Sequence, residues 1–207
     1  MSIDFNLMPG KPCEMRQVDP NDDRQTAILD AAFRAFASYG YRRTKMDDIA
    51  RGAEISRTAL YIHFRNKEDI VRSLEERHFV DAAREMQRVL DAPDQTPAQA
   101  LTAAFIARDG RFMDAVLSTP HGRELLEASA ASTSETSLAG YAALNLILSD
   151  WLAKHHIRPE MGSPQELSET IKAALKGLKL TATTLAEYRA GQSRLASLVA
   201  LALSEAN

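Results

Sequence analysis

The sequence has one cysteine in 207 residues, at Cys13, and this scarcity excludes several classes of protein. A single thiol cannot form an internal disulfide framework, so the small secreted scaffolds that depend on such bridges are excluded. The sequence also lacks an apolar run of about 18 residues, the length that a membrane-spanning helix needs. The N-terminus has neither a basic start nor an apolar stretch. We therefore expect no signal peptide, no membrane contact and a cytoplasmic location.

The common catalytic and metal-binding motifs are absent as well. There is no His-Glu-x-x-His, no Cys-x-x-Cys, no glycine-rich phosphate loop and no Gly-x-Ser-x-Gly. His155 and His156 are adjacent, so they face different sides of a helix and cannot bind one ion from one face. His78 and His121 are isolated in the sequence. We therefore expect a protein that is not an enzyme and that has no catalytic residues, no metal site and no cofactor.

Helical periodicity is present along most of the chain. Apolar residues recur every three to four positions, and 45% of the residues are hydrophobic, which is ample for a core. We predict an all-α protein with a mobile N-terminal arm (1–21), a three-helix unit (22–67) and a larger helical unit (68–207) that starts with a connecting helix (68–90). The later helices are predicted over residues 97–117, 121–130, 132–156 (entered through a cap at Ser132), 164–190 (closed by Gly191) and 193–204.

Residues 44–67 have the pattern of two short helices joined by a tight turn and followed by the start of a third. Thr44 is placed to cap the first helix, with Asp47 three positions further on. Ser56 is placed to cap the second helix, whose Leu60 points inward. Two crossed helices of this size form a helix-turn-helix, in which the second helix enters the major groove of DNA.

The charge distribution supports a surface that meets phosphates. Residues 39–67 contain seven basic and three acidic side chains, a net +4 in a chain of formal net charge −3, so the remainder carries −7. A basic surface on an otherwise acidic protein is the electrostatic footprint of nucleic-acid binding. The alternative is a helical interaction protein whose basic head binds an acidic protein partner. Salt-dependent binding to one palindromic DNA sequence would separate these two functions.

The same stretch resembles the DNA-binding domain of the TetR family of bacterial transcriptional regulators, over about residues 22–74. One departure is Glu54, which stands at a turn position where the family usually has glycine. If φ at this position is positive, the side chain of Glu54 brings strain. The residues that carry the resemblance are Thr44, Ile49, Ala50, Ala53, Ile55, Ser56, Leu60, Tyr61, Ile62, His63, Phe64, Lys67 and Glu68.

The resemblance implies a homodimeric repressor that binds palindromic double-stranded operator DNA and is released by an unknown small-molecule effector. Arg57 and Thr58 lie in the first turn of the second helix, which faces base edges. Family positions that contact the DNA backbone are matched by Thr44, Tyr61, His63 and Lys67. The full predicted DNA-contact set is Arg42, Arg43, Thr44, Lys45, Ser56, Arg57, Thr58, Ala59, Tyr61, His63 and Lys67.

The C-terminal helices supply two further sets of candidate residues. Aromatic, apolar and a few polar residues suit a small-molecule pocket, although a packed core explains them equally well, and the resemblance favours the pocket. The last two helices are apolar on several sides; packing within one chain would explain this, and the resemblance implies a four-helix bundle with a second copy. The predicted pocket residues are Phe105, Arg108, Phe112, Met113, Tyr141 and Asn145, and the predicted dimer-interface residues are Ile171, Leu178, Leu185, Leu195, Leu198 and Val199.

Overall fold

The computed structural model describes residues 20–122, 124 and 135–204, and these residues confirm the all-α prediction. Two-residue strands, β1 (His156–Ile157) and β2 (Leu203–Ser204), pair antiparallel and hold residues 156–157 beside the end of the last helix. Among the described helices, none is both long enough and apolar enough to cross a membrane. The helices are α1 (Pro20–Tyr39), α2 (Met46–Gly52), α3 (Arg57–His63), α4 (Lys67–Leu90), α5 (Pro97–Ser118), α6 (Glu135–Ala153), a 3-10 turn (Pro159–Met161), α7 (Pro164–Thr181) and α8 (Leu185–Ala202).

Some predictions fall on residues outside the described ranges. These are the arm over residues 1–21, of which only the last two residues are described and belong to α1, most of the helix over residues 121–130, and the cap at Ser132. Cys13 also lies outside the described residues.

Side-chain caps fix where several helices begin. In α3 the Ser56 Oγ accepts a hydrogen bond from the Ala59 N–H at 3.1 Å, as the sequence predicts. In α4 the Asn66 Oδ1 accepts one from the Asp69 N–H at 2.8 Å. Such caps satisfy N–H groups that the first turn of a helix leaves unpaired. Equivalent caps begin α5, α7 and α8 at Thr96, Ser163 and Thr184.

The start of α2 contradicts the prediction that Thr44 caps this helix. Thr44 is 1% exposed, and its hydroxyl donates to the carbonyl oxygen of Gly40 at 2.8 Å. The N-cap position belongs to Lys45, whose backbone N–H donates to Asp48 Oδ2 at 2.9 Å. A buried hydroxyl needs a hydrogen-bond acceptor, and the nearby turn carbonyl supplies it. Thr44 therefore stabilises the turn between α1 and α2.

The break between the last two helices lies at residues 182–184, so the prediction of one helix over 164–190 was wrong. Gly191 does not end a helix; it lies buried in the middle of α8. A Cβ at this position would stand 2.9 Å from the Leu178 Cδ2 atom. The glycine thus permits a close approach of α7 and α8, whereas in the sequence it has the appearance of a stop signal.

Two apolar cores divide the described chain into a head and a body. The head consists of α1, α2, α3 and the first two turns of α4, packed around a core that includes Ile28, Phe36, Ile49, Leu60 and Ile70. The body consists of the rest of α4 with α5–α8, which share a second core. Because α4 contributes to both cores, a displacement of α4 within the body moves the head.

Helix α5 is interrupted at Gly110, whose φ of +50° and ψ of −144° are not helical. A residue with a Cβ would be strained in this conformation. The predicted helix over residues 97–117 therefore consists of two segments that meet at a kink. The kink faces α4, since a Cβ at position 110 would lie 3.9 Å from the His78 ring.

Candidate functional site

The helices α2 and α3 are joined by a turn over residues 53–56 and form a helix-turn-helix. The Ile55 N–H donates to the Ala50 carbonyl oxygen at 3.0 Å and closes the turn. Glu54 in this turn has φ +57°, in the left-handed region that favours glycine. Because φ at Glu54 is positive, the strain that the sequence analysis predicts for this case is present.

Replacing Glu54 by glycine is expected to raise the free energy of unfolding by about 0.5–1 kcal/mol. Relief of the left-handed strain outweighs the extra freedom that glycine has in the unfolded chain. Urea denaturation measures the difference. Glu54→Ala is the matched control, because it removes the carboxylate and keeps the Cβ. An equal gain in both variants would assign the effect to charge and contradict the backbone explanation.

The outer face of α3 is exposed and carries Arg57, Thr58 and Tyr61. The Arg57 guanidinium forms an ion pair with Asp47 of α2 at 2.9 Å, and its Cζ lies 5.5 Å from the centroid of the Tyr61 ring. These two contacts orient the guanidinium along the surface of α3. Ile62, which was not predicted as a site residue, is 79% exposed on α3. An apolar side chain so exposed on this helix can contact a thymine methyl group.

The predicted DNA-contact residues lie in three environments. The buried one is Thr44, whose hydroxyl points into the head and does not reach the surface that the prediction requires. Partly buried are Ala59, His63 and Lys67. The exposed members are Arg42, Arg43, Lys45, Ser56, Arg57, Thr58 and Tyr61.

The ammonium group of Lys67 is bound within the head. Its Nζ donates to the backbone carbonyl oxygens of Tyr41 and Thr44, both at 2.8 Å. It also lies 4.6 Å from the centroid of the Tyr41 ring, within range of a cation–π interaction. Lys67 therefore holds the turn between α1 and α2 against the start of α4. The sequence predicted a phosphate contact instead, because spacing alone does not reveal these carbonyl partners.

We expect Lys67→Ala to lower the free energy of unfolding by about 1–3 kcal/mol, because the variant leaves carbonyl oxygens without their charged donor. Lys45→Ala, a change at an exposed position, is expected to alter stability by no more than about 0.5 kcal/mol. Thermal unfolding of the two variants measures the difference. If Lys67→Ala melts at the wild-type temperature, the ammonium is free for phosphate and the original prediction stands.

Tyr41 is a structural residue that the sequence prediction missed. Its hydroxyl donates to Glu68 Oε1 at 2.9 Å, and its ring packs edge-on against Phe36 at 5.3 Å between centroids. Burial, together with the hydrogen bond and the charge of Glu68, raises the pKa of Tyr41 to about 12. Tyr41 also lines a cavity of about 770 Å³, so one side chain connects the helix-turn-helix with that cavity.

A cavity of about 770 Å³ lies between α1, α4, α5 and the first turns of α6. This volume falls within the range of roughly 300–1,000 Å³ that is typical of small-molecule sites. The lining is mainly aromatic and apolar, and it includes Phe33, Phe36, Tyr41, Leu74, Phe79, Ile106, Phe112 and Tyr141.

Two of the six predicted pocket residues, Phe112 and Tyr141, line this cavity. Phe105 and Met113 do not, because each is fully buried in an apolar cluster. Neighbouring residues on a helix point about 100° apart, so Phe105 and Met113 face the core although residues beside them face the cavity. Ile106, the residue after Phe105, is the one that lines it.

The remaining two predicted pocket residues, Arg108 and Asn145, are buried but are not part of the cavity wall. The amide nitrogen of Asn145 donates to the Ser168 Oγ at 3.1 Å and to Glu169 Oε1 at 2.7 Å. Asn145 therefore joins α6 to α7. The Arg108 guanidinium lies over the ring of Tyr141, with its Cζ 5.5 Å from the centroid.

The α4 wall of the cavity was missed because its residues were assigned to the connecting helix alone. His78 from this wall lies next to Phe112, with 6.0 Å between ring centroids. Burial, with a further contribution from Lys179, lowers the pKa of His78, which favours the neutral ring. A neutral imidazole can both donate and accept a hydrogen bond toward a bound molecule.

The head and the cavity share a charged contact at Asp30 of α1. Its Oδ1 accepts hydrogen bonds from Arg77 of α4 at 2.9 Å and from Arg111 of α5 at 3.3 Å. Both arginines also line the cavity. A molecule that displaces either arginine therefore changes a contact that positions the head.

On the other side of α5, the Asp109 carboxylate is the centre of a buried polar cluster. Its Oδ1 pairs with Lys179 of α7 at 2.5 Å. Its Oδ2 accepts hydrogen bonds from the Tyr188 hydroxyl and from the Gln192 amide, the latter at 2.9 Å. Burial and the charge of Asp109 raise the pKa of Tyr188, so the phenol remains a donor. The cluster joins α5 to both C-terminal helices.

The predicted dimer-interface residues divide between the body core and its surface. Ile171 is 1% and Val199 6% exposed, so these two pack inside the chain, contrary to the prediction. Three others are partly buried: Leu178, Leu185 and Leu195. Leu198 is 66% exposed. Each helix turns one face inward and one outward, and the periodicity alone did not assign the faces correctly. Two further exposed leucines, Leu180 and Leu201, were not predicted.

Comparisons with known proteins find sequence similarity mainly in the head. A family model described as "Bacterial regulatory proteins, tetR family" matches residues 28–74, which form the head. The uncharacterized HTH-type transcriptional regulator YhgD of Bacillus subtilis is 33% identical over 69 residues, covering 33% of this chain and 34% of that protein. The HTH-type transcriptional regulator TtgR of Pseudomonas putida is 39% identical over 59 residues, 28% of each chain. The match thus spans about a third of the length of these curated relatives.

The structural likeness extends over the body. SmeT, the repressor of the Stenotrophomonas maltophilia multidrug efflux pump SmeDEF, matches with a TM-score of 0.64 and 22% identity over 87% of this chain and 90% of that chain. A complex of SmeT with triclosan matches with a TM-score of 0.60 and 20% identity, over 88% and 92% of the two chains. At this identity the likeness concerns the fold.

Proposed function

Because this chain belongs to the TetR family of bacterial regulatory proteins, which are regulators and not enzymes, we propose that it is a dimeric, ligand-released repressor that binds a palindromic operator. The observation that carries the proposal is the exposed face of α3, with Arg57 and Thr58 in its first turn. Residues in this turn face base edges when a helix-turn-helix docks on DNA. The exposed basic residues Arg42, Arg43 and Lys45 just before α2 are placed for phosphate contacts.

Selection of operators from random duplex DNA tests the proposal, followed by fluorescence anisotropy over a salt series. We expect enrichment of one palindrome whose half-sites are about one helical turn apart. Affinity for the palindrome should exceed that for unrelated DNA by a factor of about 10³ or more. A steep salt dependence without any sequence preference would favour the alternative, in which the basic head binds an acidic protein partner.

The dimer proposal uses the exposed faces of α7 and α8. Leu198 and Leu201 lie on one face of α8, and Leu180 lies on the outer face of α7, with all three more than half exposed in the single chain. Exposed leucines on two neighbouring helices supply apolar surface of the kind that a two-fold four-helix bundle buries. Specific recognition of an operator also favours a dimer, because one helix-turn-helix contacts too few bases.

We expect the double variant Leu198→Glu/Leu201→Glu to be a folded monomer where the wild type sediments as a dimer at micromolar concentration. Four glutamates across a two-fold interface would repel each other, whereas each side chain alone is already solvated. Sedimentation velocity with circular dichroism reports assembly and folding together. The matched control is Leu138→Glu/Leu146→Glu, two leucines that are 65% and 58% exposed on α6. A monomeric wild type, or monomers from the control alone, would contradict the proposed face.

The proposed release mechanism uses the cavity between α1, α4 and α5. A bound molecule that displaces α4, Arg77 or Arg111 would alter the position of the head through Asp30. Two heads must stay about 34–36 Å apart to enter successive major grooves, so a displaced α4 lowers operator affinity. A hundredfold change needs about 2.7 kcal/mol of difference in ligand affinity between the two states. The SmeT–triclosan complex supports the proposal, since it places a small aromatic molecule on a protein of this fold.

A further inference from the structure

Arg108 is a buried cation with an unsatisfied donor. It is 4% exposed, and among the residues that the structure describes its Nη1 has no hydrogen-bond partner. The adjacent Asp109 carboxylate is already occupied by Lys179, Tyr188 and Gln192. Burial lowers the pKa of Arg108, yet a guanidinium remains protonated at neutral pH. Keeping such a group out of water without an acceptor is unfavourable, which indicates that an acceptor comes from outside the chain.

A second buried atom near Arg108 is also unsatisfied within the described part of the chain. This atom is the Oδ1 of Asn145, whose amide nitrogen is held by Ser168 and Glu169. Glu169 also acts electrostatically on Arg108 and so links the two residues in a polar cluster to which α5, α6 and α7 contribute. Arg108 offers a donor and Asn145 an acceptor. A ligand with an anionic acceptor, and an O–H or N–H donor beside it, would satisfy both.

Tyr141 connects this cluster with the cavity. It lines the cavity, and its ring centroid lies 5.5 Å from the Arg108 Cζ and 5.9 Å from the Lys179 Nζ. Its ring also packs against Phe79 of the cavity wall, at 4.9 Å between centroids. A change of rotamer at this partly buried side chain would open the cavity to Arg108. An apolar cavity thus has two cations behind one of its walls.

We propose that the effector of this protein is an apolar organic carboxylate, whose hydrocarbon or aromatic body fills the cavity and whose carboxylate binds Arg108. The inference rests on the proposed function in taking the cavity as the effector site. A carboxylate matches the planar fork of a guanidinium and accepts two parallel hydrogen bonds from it. The aromatic lining supplied by Phe79, Phe112 and Tyr141 favours a molecule with a large apolar part, which excludes small inorganic anions.

Calorimetric titration of the DNA-free protein tests this inference with benzoate, 2-naphthoate and decanoate, each compared with its neutral amide. We expect at least one carboxylate to bind ten times or more tightly than its amide. Arg108→Met should remove this preference: the affinity for the carboxylate should fall about tenfold or more, and the affinity for the amide should stay the same. The matched control is Arg111→Met, because Arg111 also lines the cavity but is largely exposed and paired with Asp30. This control should retain the preference.

Thermal unfolding without ligand distinguishes a ligand-binding Arg108 from an arginine that only stabilises the fold. Arg108→Met should melt at or above the wild-type temperature, because it removes a buried charged group whose Nη1 has no acceptor among the described residues. Lys179→Met should melt lower, because it leaves the buried Asp109 without its ion-pair partner. A lower melting temperature for Arg108→Met would assign Arg108 to structure and count against the inference.

The wild-type comparison of acid with amide does not depend on any variant folding. Equal affinities for the members of every pair, or no carboxylate binding below about 1 mM, would overturn the inference. The proposed function fails in a different way: a carboxylate that binds through Arg108 but leaves operator affinity unchanged supports the ligand class and contradicts effector release.

Discussion

Replacing Asp109 by alanine is expected to lower the free energy of unfolding by about 3–5 kcal/mol. The Asp109 side chain is 2% exposed and Lys179 only 14%, so their 2.5 Å ion pair is largely removed from water. Without the carboxylate, Lys179 becomes an unpaired cation, the Tyr188 hydroxyl loses its acceptor, and the Gln192 amide keeps only the Phe105 carbonyl oxygen. These losses fall where α5 meets α7 and α8, so we expect the body to lose its cooperative transition first. Urea denaturation followed by far-UV circular dichroism measures the change.

A second aspartate of α5 supplies a matched control for Asp109. Asp114 pairs with Arg189 of α8 at 2.7 Å, but its side chain is 48% exposed. Water and salt screen such a pair, so Asp114→Ala is expected to cost less than about 1 kcal/mol. Equal losses for the two variants would show that burial does not determine the strength of these ion pairs, and the assignment of Asp109 as a central residue would fail.

The helices of the head could be predicted from the sequence because their signals are local. Ser56 caps α3 with a hydrogen bond to an N–H only three residues further along, and Gly40 follows the last residue of α1. The predicted cap at Thr44 was wrong and the carbonyl partners of Lys67 were missed, because these contacts depend on how the chain folds back. Lys67 reaches the Tyr41 carbonyl across 26 residues, and no local pattern encodes that contact.

The body could be predicted as helical but not as a site. Phe112 and Met113 are adjacent apolar residues, and only the packing of α5 decides which faces the cavity and which the core. Asp109 and Tyr188 are 79 residues apart in the sequence, so the pattern does not indicate that the carboxylate of one accepts a hydrogen bond from the hydroxyl of the other. Gly191 illustrates the same limit, since a glycine that permits close packing cannot be told from one that ends a helix.

Replacing Arg57 by alanine is expected to weaken operator binding by about 1–3 kcal/mol and to relax the preference at one base pair in each half-site. Arg57 lies in the first turn of α3, and its side chain is 63% exposed. The Arg57 Nη1 donates to Asp47 at 2.9 Å and its Nη2 to the Tyr61 hydroxyl at 3.5 Å, which fixes the guanidinium on the exposed face of α3. A guanidinium oriented in this way can donate two hydrogen bonds to the O6 and N7 atoms of a guanine. Affinities for a series of single operator substitutions measure the effect.

Because Asp47 orients the Arg57 side chain, a change at Asp47 tests the orientation of Arg57 separately from its charge. Asp47→Ala keeps the Arg57 charge but frees its side chain, so we expect stronger binding to unrelated DNA together with a weaker preference at the same base pair. Arg51→Ala is the matched control, since Arg51 is 79% exposed on α2 and pairs with Asp48 at 3.6 Å. Its loss should weaken binding to all sequences alike and lower the salt slope by about one unit. If Arg57→Ala behaves like Arg51→Ala, with every base preference unchanged, Arg57 contacts phosphate and some other residue of α3 reads the operator.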